Sequence, residues 1–180
     1  MIEERAAKVT LLILDVDGVL TEGRIIINER GEEIKVFDAK DGHGLKMLIR
    51  AGIEVVIITG RRSGAVESRA KGLGIREVHQ GIEDKASLGK RIIRDRGLER
   101  GQVCCIGDDL PDIPLFHLAG LSVAVADAVP EVKEAAVFVT ENGGGKGAVR
   151  EVCELILKAQ KRWPPFQSTS SGPGKIGFTP

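Results

Sequence analysis

Two aspartates, Asp15 and Asp17, stand two positions apart in the stretch VTLLILDVDGVLT, residues 9–21. Side chains at i and i+2 of an extended segment share a face, so these carboxylates lie a few ångströms from one another. At an effective dielectric near 20, two negative charges ~4 Å apart repel by roughly 4 kcal/mol. A cation, a shared proton or solvation must absorb that repulsion. Asp and Gly are also ordinary turn residues, so the pair alone does not separate a reactive site from a strand end.

Other chemistry-bearing residues follow apolar runs in the same manner. IEVVIIT (53–59) ends in Thr59 and Gly60, followed by Arg61 and Arg62; Lys85 opens a helical pattern after the short run EVHQ (77–80); QVCCIG (102–107) ends in Gly107, Asp108 and Asp109, with Asp112 close behind. A hydroxyl, an amine and several carboxylates gathered on one edge suit phosphoryl transfer to a carboxylate. Such a reaction needs a nucleophile, a metal to hold it against a dianionic phosphate, and donors for the equatorial oxygens. A ligand set of aspartate oxygens selects Mg2+ over zinc.

The strands and helices that carry these groups are legible as alternation. VTLLIL, IEVVIIT, EVHQ, QVCCIG and LSVAVA (121–126) read as strands, with helical patterns near 42–51, 63–73, 84–96, 111–119 and 130–135. Near-continuous β-rich runs belong to strands covered on both faces, and their alternation with helices predicts an α/β fold with a doubly wound parallel sheet. In such a sheet ligands bind outside the carboxyl ends of the strands. Ser63 and Asp84 are expected N-caps; Gly52, Gly97 and Gly120 are expected C-caps. GRIIINERGEEIKVF (23–37) reads as a β-hairpin turning at Asn28–Gly31. Its Ile25, Ile26, Ile27, Ile34, Val36 and Phe37 give both faces apolar groups, and an exposed two-stranded ribbon of this kind is expected to pair with copies of itself. A final helix carries Val149, Val152, Cys153, Ile156 and Ala159 at helical spacing.

Length and composition bound the rest. The 180 residues favour one domain, over 1–162, followed by a Pro/Ser/Gly-rich tail at 163–180. Lys+Arg and Asp+Glu both number 26, so nothing in the charge points to nucleic acid. MIEERAAK has no apolar signal-peptide core and no run approaches the ~20 apolar residues of a membrane span, which leads to the expectation of a cytoplasmic protein. Cys104, Cys105 and Cys153 read as small buried hydrophobes. GGGKG (143–147) lacks the spacing of a phosphate-binding P-loop and reads as a flexible entry to the last helix, with Lys146 a candidate anion contact. His79 and His117 read as structural, and His43 as a candidate substrate contact.

DVDGVLT, ITGR, the lone Lys85 and GDDLPD, in that order, resemble the four motifs of haloacid dehalogenase-like (HAD) phosphatases. The resemblance covers about residues 9–158. It implies that Asp15 is the nucleophile, that Asp17 protonates the leaving oxygen and then activates water, and that Thr59 and Lys85 bind the phosphoryl oxygens. It implies Mg2+ held by Asp15, the backbone carbonyl of Asp17, and Asp108, with Asp109 and Asp112 supporting the metal site. Residues 22–52 and 60–85 are too short to house a cap domain. The hairpin, FDAKDGHGLKML, ITGRRS and GGGKGAVREVCELIL are together similar to the capless family of 3-deoxy-D-manno-octulosonate 8-phosphate phosphatases. That resemblance implies a phosphorylated sugar acid as substrate, a role in lipopolysaccharide precursor synthesis and a homotetramer. Its substrate contacts carry over to Asp17, Asp38, Ala39, Lys40, Asp41, Gly42, Lys46, Arg61, Arg69 and Lys85. Two alternatives stay open: a phosphatase of another sugar-acid phosphate, of the nonulosonate 9-phosphate type, and a non-catalytic HAD assembly domain. A response-regulator receiver domain does not fit, because IEVVIIT ends in Thr59 where a receiver places its phosphoacceptor aspartate.

Overall fold

The computed structural model describes residues 1–163. The chain opens with a short helix, α1 (Ile2–Ala6), and enters β1 (Leu11–Leu14). The hairpin strands β2 (Ile26–Ile27) and β3 (Glu33–Ile34) follow, then α2 (Ala39–Arg50), β4 (Glu54–Thr59), α3 (Gly64–Leu73), β5 (Glu77–Gln80) and α4 (Lys85–Asp95). The second half runs β6 (Val103–Gly107), α5 (Ile113–Phe116), β7 (Leu121–Ala124), α6 (Pro130–Ala135), β8 (Phe138–Val139) and α7 (Ala148–Ala159). A single 3-10 turn at Leu110–Asp112 precedes α5.

The six strands of the main sheet lie in the order β5-β4-β1-β6-β7-β8, every pair parallel. From β1 the chain winds outward to β4 and β5, then returns to β6 and winds the other way. With right-handed crossovers this reversal sends the later helices to the opposite face of the sheet. Accordingly α5 packs on both α4 and α6 in the second layer, while α7, which follows the last strand, packs with α1 and α2 on the first face. The reversal point falls between β1 and β6, where a doubly wound sheet opens a crevice at its carboxyl edge. β1 is the central strand: all its residues are buried, and Leu11 is in register with Glu54 on one side and Val103 on the other. Its unbroken aliphatic run is what burial on two faces demands.

Local signals mostly act as expected. Asp84 caps α4 by accepting from the Ser87 amide at 2.9 Å. Ser63 occupies the N-cap position of α3 without a side-chain capping bond, and its amide donates to Gln80 Oε1 at 2.7 Å. Gly52 and Gly97 follow α2 and α4 with φ of 81° and 62°. Gly120 is a correction: it ends no helix in a left-handed turn, and a Cβ there would lie 2.7 Å from Gly101 Cα. Close backbone approach requires glycine at that point. The hairpin pairs over only two residues per strand, with Asn28 Oδ1 accepting from the Arg30 and Glu32 amides at 2.9 Å to close its turn.

The GGGKG segment also departs from expectation, because it is a packed brace and not a flexible entry. A Cβ on Gly144 would lie 1.6 Å from the Gly18 carbonyl oxygen. The Gly145 amide donates to the Val19 carbonyl at 2.9 Å and the Gly144 amide to Asp127 Oδ1 at 2.8 Å. Lys146 pairs with Glu22 at 3.0 Å, which occupies it as an ion-pair partner. α1 and β8 had no counterpart in the sequence reading. The three cysteines are free and fully buried. Apart from Trp163, the tail read at 163–180 lies outside the described residues. Among the described residues no helix is long and apolar enough to cross a membrane.

Candidate active site

The carboxyl ends of β1, β4 and β6 and the start of α4 converge on one cleft of ≈ 430 Å³. Asp15 leaves β1 with its carboxylate fixed at both oxygens. The Val16 amide donates to Oδ1 at 2.7 Å, and Lys85 Nζ lies 2.8 Å from Oδ2. Lys85 also donates to Asp112 Oδ1 at 2.7 Å. Asp112 Oδ2 in turn accepts from the Asp108 amide at 3.0 Å, so one buried carboxylate ties α4 to the loop after β6. Lys85 is the first residue of α4 because Asp84 caps that helix; the cap therefore sets where the amine enters the site.

Burial and charge act together here. Burial, then the Asp112 charge, pushes the Asp15 carboxyl above its ordinary value despite the opposing pull of Lys85. Burial alone would lower Lys85, but the Asp15 and Asp112 carboxylates outweigh it and hold the ammonium above the usual lysine value. Asp108 is pushed up to about 8 by burial and by the Asp112, Asp15 and Asp109 charges. Asp108 Oδ1 is buried with no hydrogen-bond partner. One oxygen each from Asp15, Asp108 and Asp112 lie within 4.8 Å of one another. An unpartnered buried oxygen beside crowded carboxylates fits a hard divalent cation bound through oxygen, as Mg2+ is. Gly18 makes room for this arrangement: its φ is 83°, and a Cβ would lie 1.9 Å from Asp108 Oδ2.

Asp17 is held from a different direction. Lys35, from the strand end of the hairpin, reaches Asp17 Oδ1 at 2.5 Å and Glu33 Oε1 at 2.7 Å, with its side chain only 2% exposed. Arg61 spans the same pair, 3.1 Å from Glu33 Oε2 and 3.8 Å from Asp17 Oδ2. Neither Lys35 nor Glu33 was singled out from sequence. A signal was present: in EEIKVF, Glu33 and Lys35 alternate with Ile34 and Val36, so the two charged groups share one face of the ribbon.

Of the residues expected at a site, Asp15, Asp17, Thr59, Arg61, Lys85, Asp108, Asp109 and Asp112 line this cleft. Thr59 sits buried at the end of β4. Asp109 accepts from the Leu110 amide at 2.8 Å and caps the turn there. Asp38, Ala39, Lys40, Asp41, Gly42, Lys46 and Arg69 do not line it, and neither does His43. The reason is physical in several cases. Asp38 is the N-cap of α2, accepting from the Lys40 amide at 2.6 Å and the Asp41 amide at 3.0 Å. Asp41 is buried and caps α7, accepting from the Arg150 amide at 2.8 Å and the Gly147 amide at 3.3 Å. Arg69 donates to the Asp38 carbonyl at 3.1 Å and lies over the Phe37 ring. The absence of a side chain at Gly42 leaves room for that guanidinium, which a Cβ would meet at 2.2 Å.

Comparison with known proteins is decisive on family. Residues 75–151 match the haloacid dehalogenase-like hydrolase family. The 3-deoxy-D-manno-octulosonate 8-phosphate phosphatase KdsC of Yersinia pestis is 48% identical over 159 residues, covering 88% of this chain and 85% of that protein. The chain belongs to the 3-deoxy-D-manno-octulosonate 8-phosphate phosphatase family. Within this family, the Moraxella catarrhalis phosphatase, solved with magnesium, phosphate and KDO, is 42% identical with a TM-score of 0.89, over 92% of this chain and 95% of that one. The cobalt-bound Haemophilus influenzae phosphatase is 39% identical with a TM-score of 0.86, over 91% and 96% of the two chains. As in the expected capless architecture, only the hairpin and α2 lie between β1 and β4, and only α3 and β5 between β4 and α4.

Proposed function

We propose that this chain hydrolyses 3-deoxy-D-manno-octulosonate 8-phosphate to the free sugar acid and phosphate, with Mg2+ as cofactor and the phosphoryl group carried on Asp15. The observation that carries the reading is the Asp15–Lys85–Asp112 ladder beside Asp108, with Asp17 two residues from the nucleophile, in a chain of this family. An Asp15 oxygen attacks phosphorus, and the bond to the sugar oxygen breaks as that oxygen takes a proton from Asp17. Asp17 then accepts a proton from water as the water displaces phosphate from Asp15. Thr59 and Lys85 donate to the phosphoryl oxygens, and Asp112 keeps Lys85 aimed. Asp15, Asp108 and the backbone carbonyl of Asp17 would hold Mg2+, which would supply positive charge to offset that of the nucleophile and the dianionic phosphate.

Arg61 is the cationic partner for the substrate carboxylate, since a guanidinium can engage it through two parallel bonds. The assembly is a homotetramer built through the hairpins. Ile25, Ile26, Ile27, Ile34 and Val36 are 41–64% exposed on a ribbon that pairs over two residues per strand, and isolated ribbons are marginal. Ala39, Lys40 and Lys46, outside the single-chain cleft, contact substrate only in that assembly. The free buried thiols suit the reducing cytoplasm, where the product feeds lipopolysaccharide precursor synthesis.

Phosphate release from a panel of sugar phosphates with Mg2+ tests the reading. Preference for the 8-phosphate of the octulosonic acid over glucose 6-phosphate is expected. Equal efficiency on both would leave a phosphatase without this specificity.

A further inference from the structure

Lys35 is a buried cation that the scheme above does not use. Its side chain is 2% exposed, yet it comes from a ribbon whose neighbouring residues Ile34 and Val36 face outward. Burying an ammonium is costly unless it is paired, and Lys35 is paired twice, with Asp17 Oδ1 at 2.5 Å and Glu33 Oε1 at 2.7 Å. Both partners act in its favour: burial would lower the Lys35 pKa, and the two carboxylates raise it above the ordinary lysine value. Glu33 is itself held by Arg61 at 3.1 Å, so the lysine's second partner is fixed from the loop after β4, and Arg61 Nε comes no nearer than 3.8 Å to the other oxygen of Asp17. Asp17 Oδ2 is buried and makes no hydrogen bond, which leaves it as the oxygen able to exchange a proton.

We infer that Lys35 is a positioning residue for the acid/base step: it pins Asp17 Oδ1, with Glu33 fixing the lysine, and so presents Oδ2 to the leaving oxygen. The inference rests on the assignment of Asp17 as acid/base in the proposed function. It makes the hairpin part of the reaction chemistry as well as of any assembly. Lys35 touches neither phosphorus nor the nucleophile in this scheme, and acts through Asp17.

Leaving-group dependence tests it. An alkyl phosphate needs its departing oxygen protonated, whereas 2,4-dinitrophenolate departs without help, so only the former should sense a displaced Asp17. In Lys35→Met, kcat/KM for the octulosonic acid 8-phosphate should fall by about tenfold or more, and that for 2,4-dinitrophenyl phosphate by less than about threefold. Adding Lys35→Met to Asp17→Asn should cost nothing further, because both changes remove one function. Lys35→Arg, which keeps the cation, should recover part of the loss and decides the matter if the Met variant is poorly folded. An equal loss on both substrates, a loss confined to KM for the sugar acid, or full additivity with Asp17→Asn would overturn the inference. If the wild type cleaves simple alkyl and aryl phosphates but not the sugar acid, the substrate reading fails instead, and the same alkyl-to-aryl comparison still decides Lys35.

Discussion

Asp15 and Asp17 are two residues apart but are held by different parts of the molecule. Asp15 belongs to the sheet rim: its partners are the Val16 amide and Lys85, which is locked in turn by the buried Asp112. Asp17 is held by Lys35 from the hairpin and approached by Arg61, and the hairpin pairs over only two residues per strand. The rim rests on strands whose side chains are almost wholly buried, while the hairpin exposes most of its apolar groups. The contrast implies that the proposed nucleophile and the proposed acid/base are not equally robust. Perturbing the core rim should disable phosphoryl transfer to any substrate, and perturbing the hairpin should disable the proton transfers selectively.

The largest effect is expected at the rim. Asp15→Asn keeps the volume and removes the attacking anion, so turnover should fall by about 10³-fold or more with the fold retained. A variant keeping more than about a tenth of the activity would be inconsistent with Asp15 as nucleophile. Exhaustive chelation should abolish turnover and added Mg2+ restore it, because the buried, unpartnered Asp108 oxygen beside Asp15 calls for a cation that Lys85 does not supply. Turnover that survives chelation would remove Asp108 from the metal site.

A smaller, structural effect is expected from Asp112→Ala, which strips Lys85 of one of its two buried partners. Removing one member of a buried ion pair costs about 3–5 kcal/mol, so thermal stability should drop clearly alongside activity. An unchanged melting temperature would show that the Lys85–Asp112 contact contributes little. On the hairpin side, Ile27→Lys with Val36→Lys should shift sedimentation toward monomer while leaving the rim intact. A wild-type monomer at micromolar concentration would end the tetramer proposal. The smallest effect is Arg61→Ala: it should raise KM for the sugar acid more than for an aryl phosphate, and an identical change on both would detach Arg61 from carboxylate recognition.

The rim was legible in the sequence because parallel strands carry their chemistry just past unbroken apolar runs. VTLLIL, IEVVIIT and QVCCIG therefore announced both the sheet and Asp15, Thr59 and Asp108. What was not legible depended on contacts distant in sequence. The Asp41 carboxylate, expected among the substrate contacts, accepts from amides more than a hundred residues away at the start of α7, a partnership no local pattern announces. Arg69 is occupied by packing on Phe37 and the entry to α2. GGGKG looked flexible by composition, whereas its glycines permit the backbone to press on Gly18 and Thr21. Lys35 leaves only a faint signal, the alternation of Glu33 and Lys35 with Ile34 and Val36, in a ribbon dominated by apolar groups. α1 and β8 are too short, at five and two residues, to leave a periodic signal.

Capture of the covalent intermediate tests the division of labour between the two aspartates most directly. In Asp17→Asn, 2,4-dinitrophenyl phosphate should still phosphorylate Asp15, since its leaving group needs no proton, and the phosphoenzyme should accumulate because water is no longer activated. Mass spectrometry of the quenched protein should then find one phosphoryl group on the peptide containing Asp15, absent in Asp15→Asn. No covalent phosphate, or phosphate on another residue, would rule out Asp15 as the nucleophile.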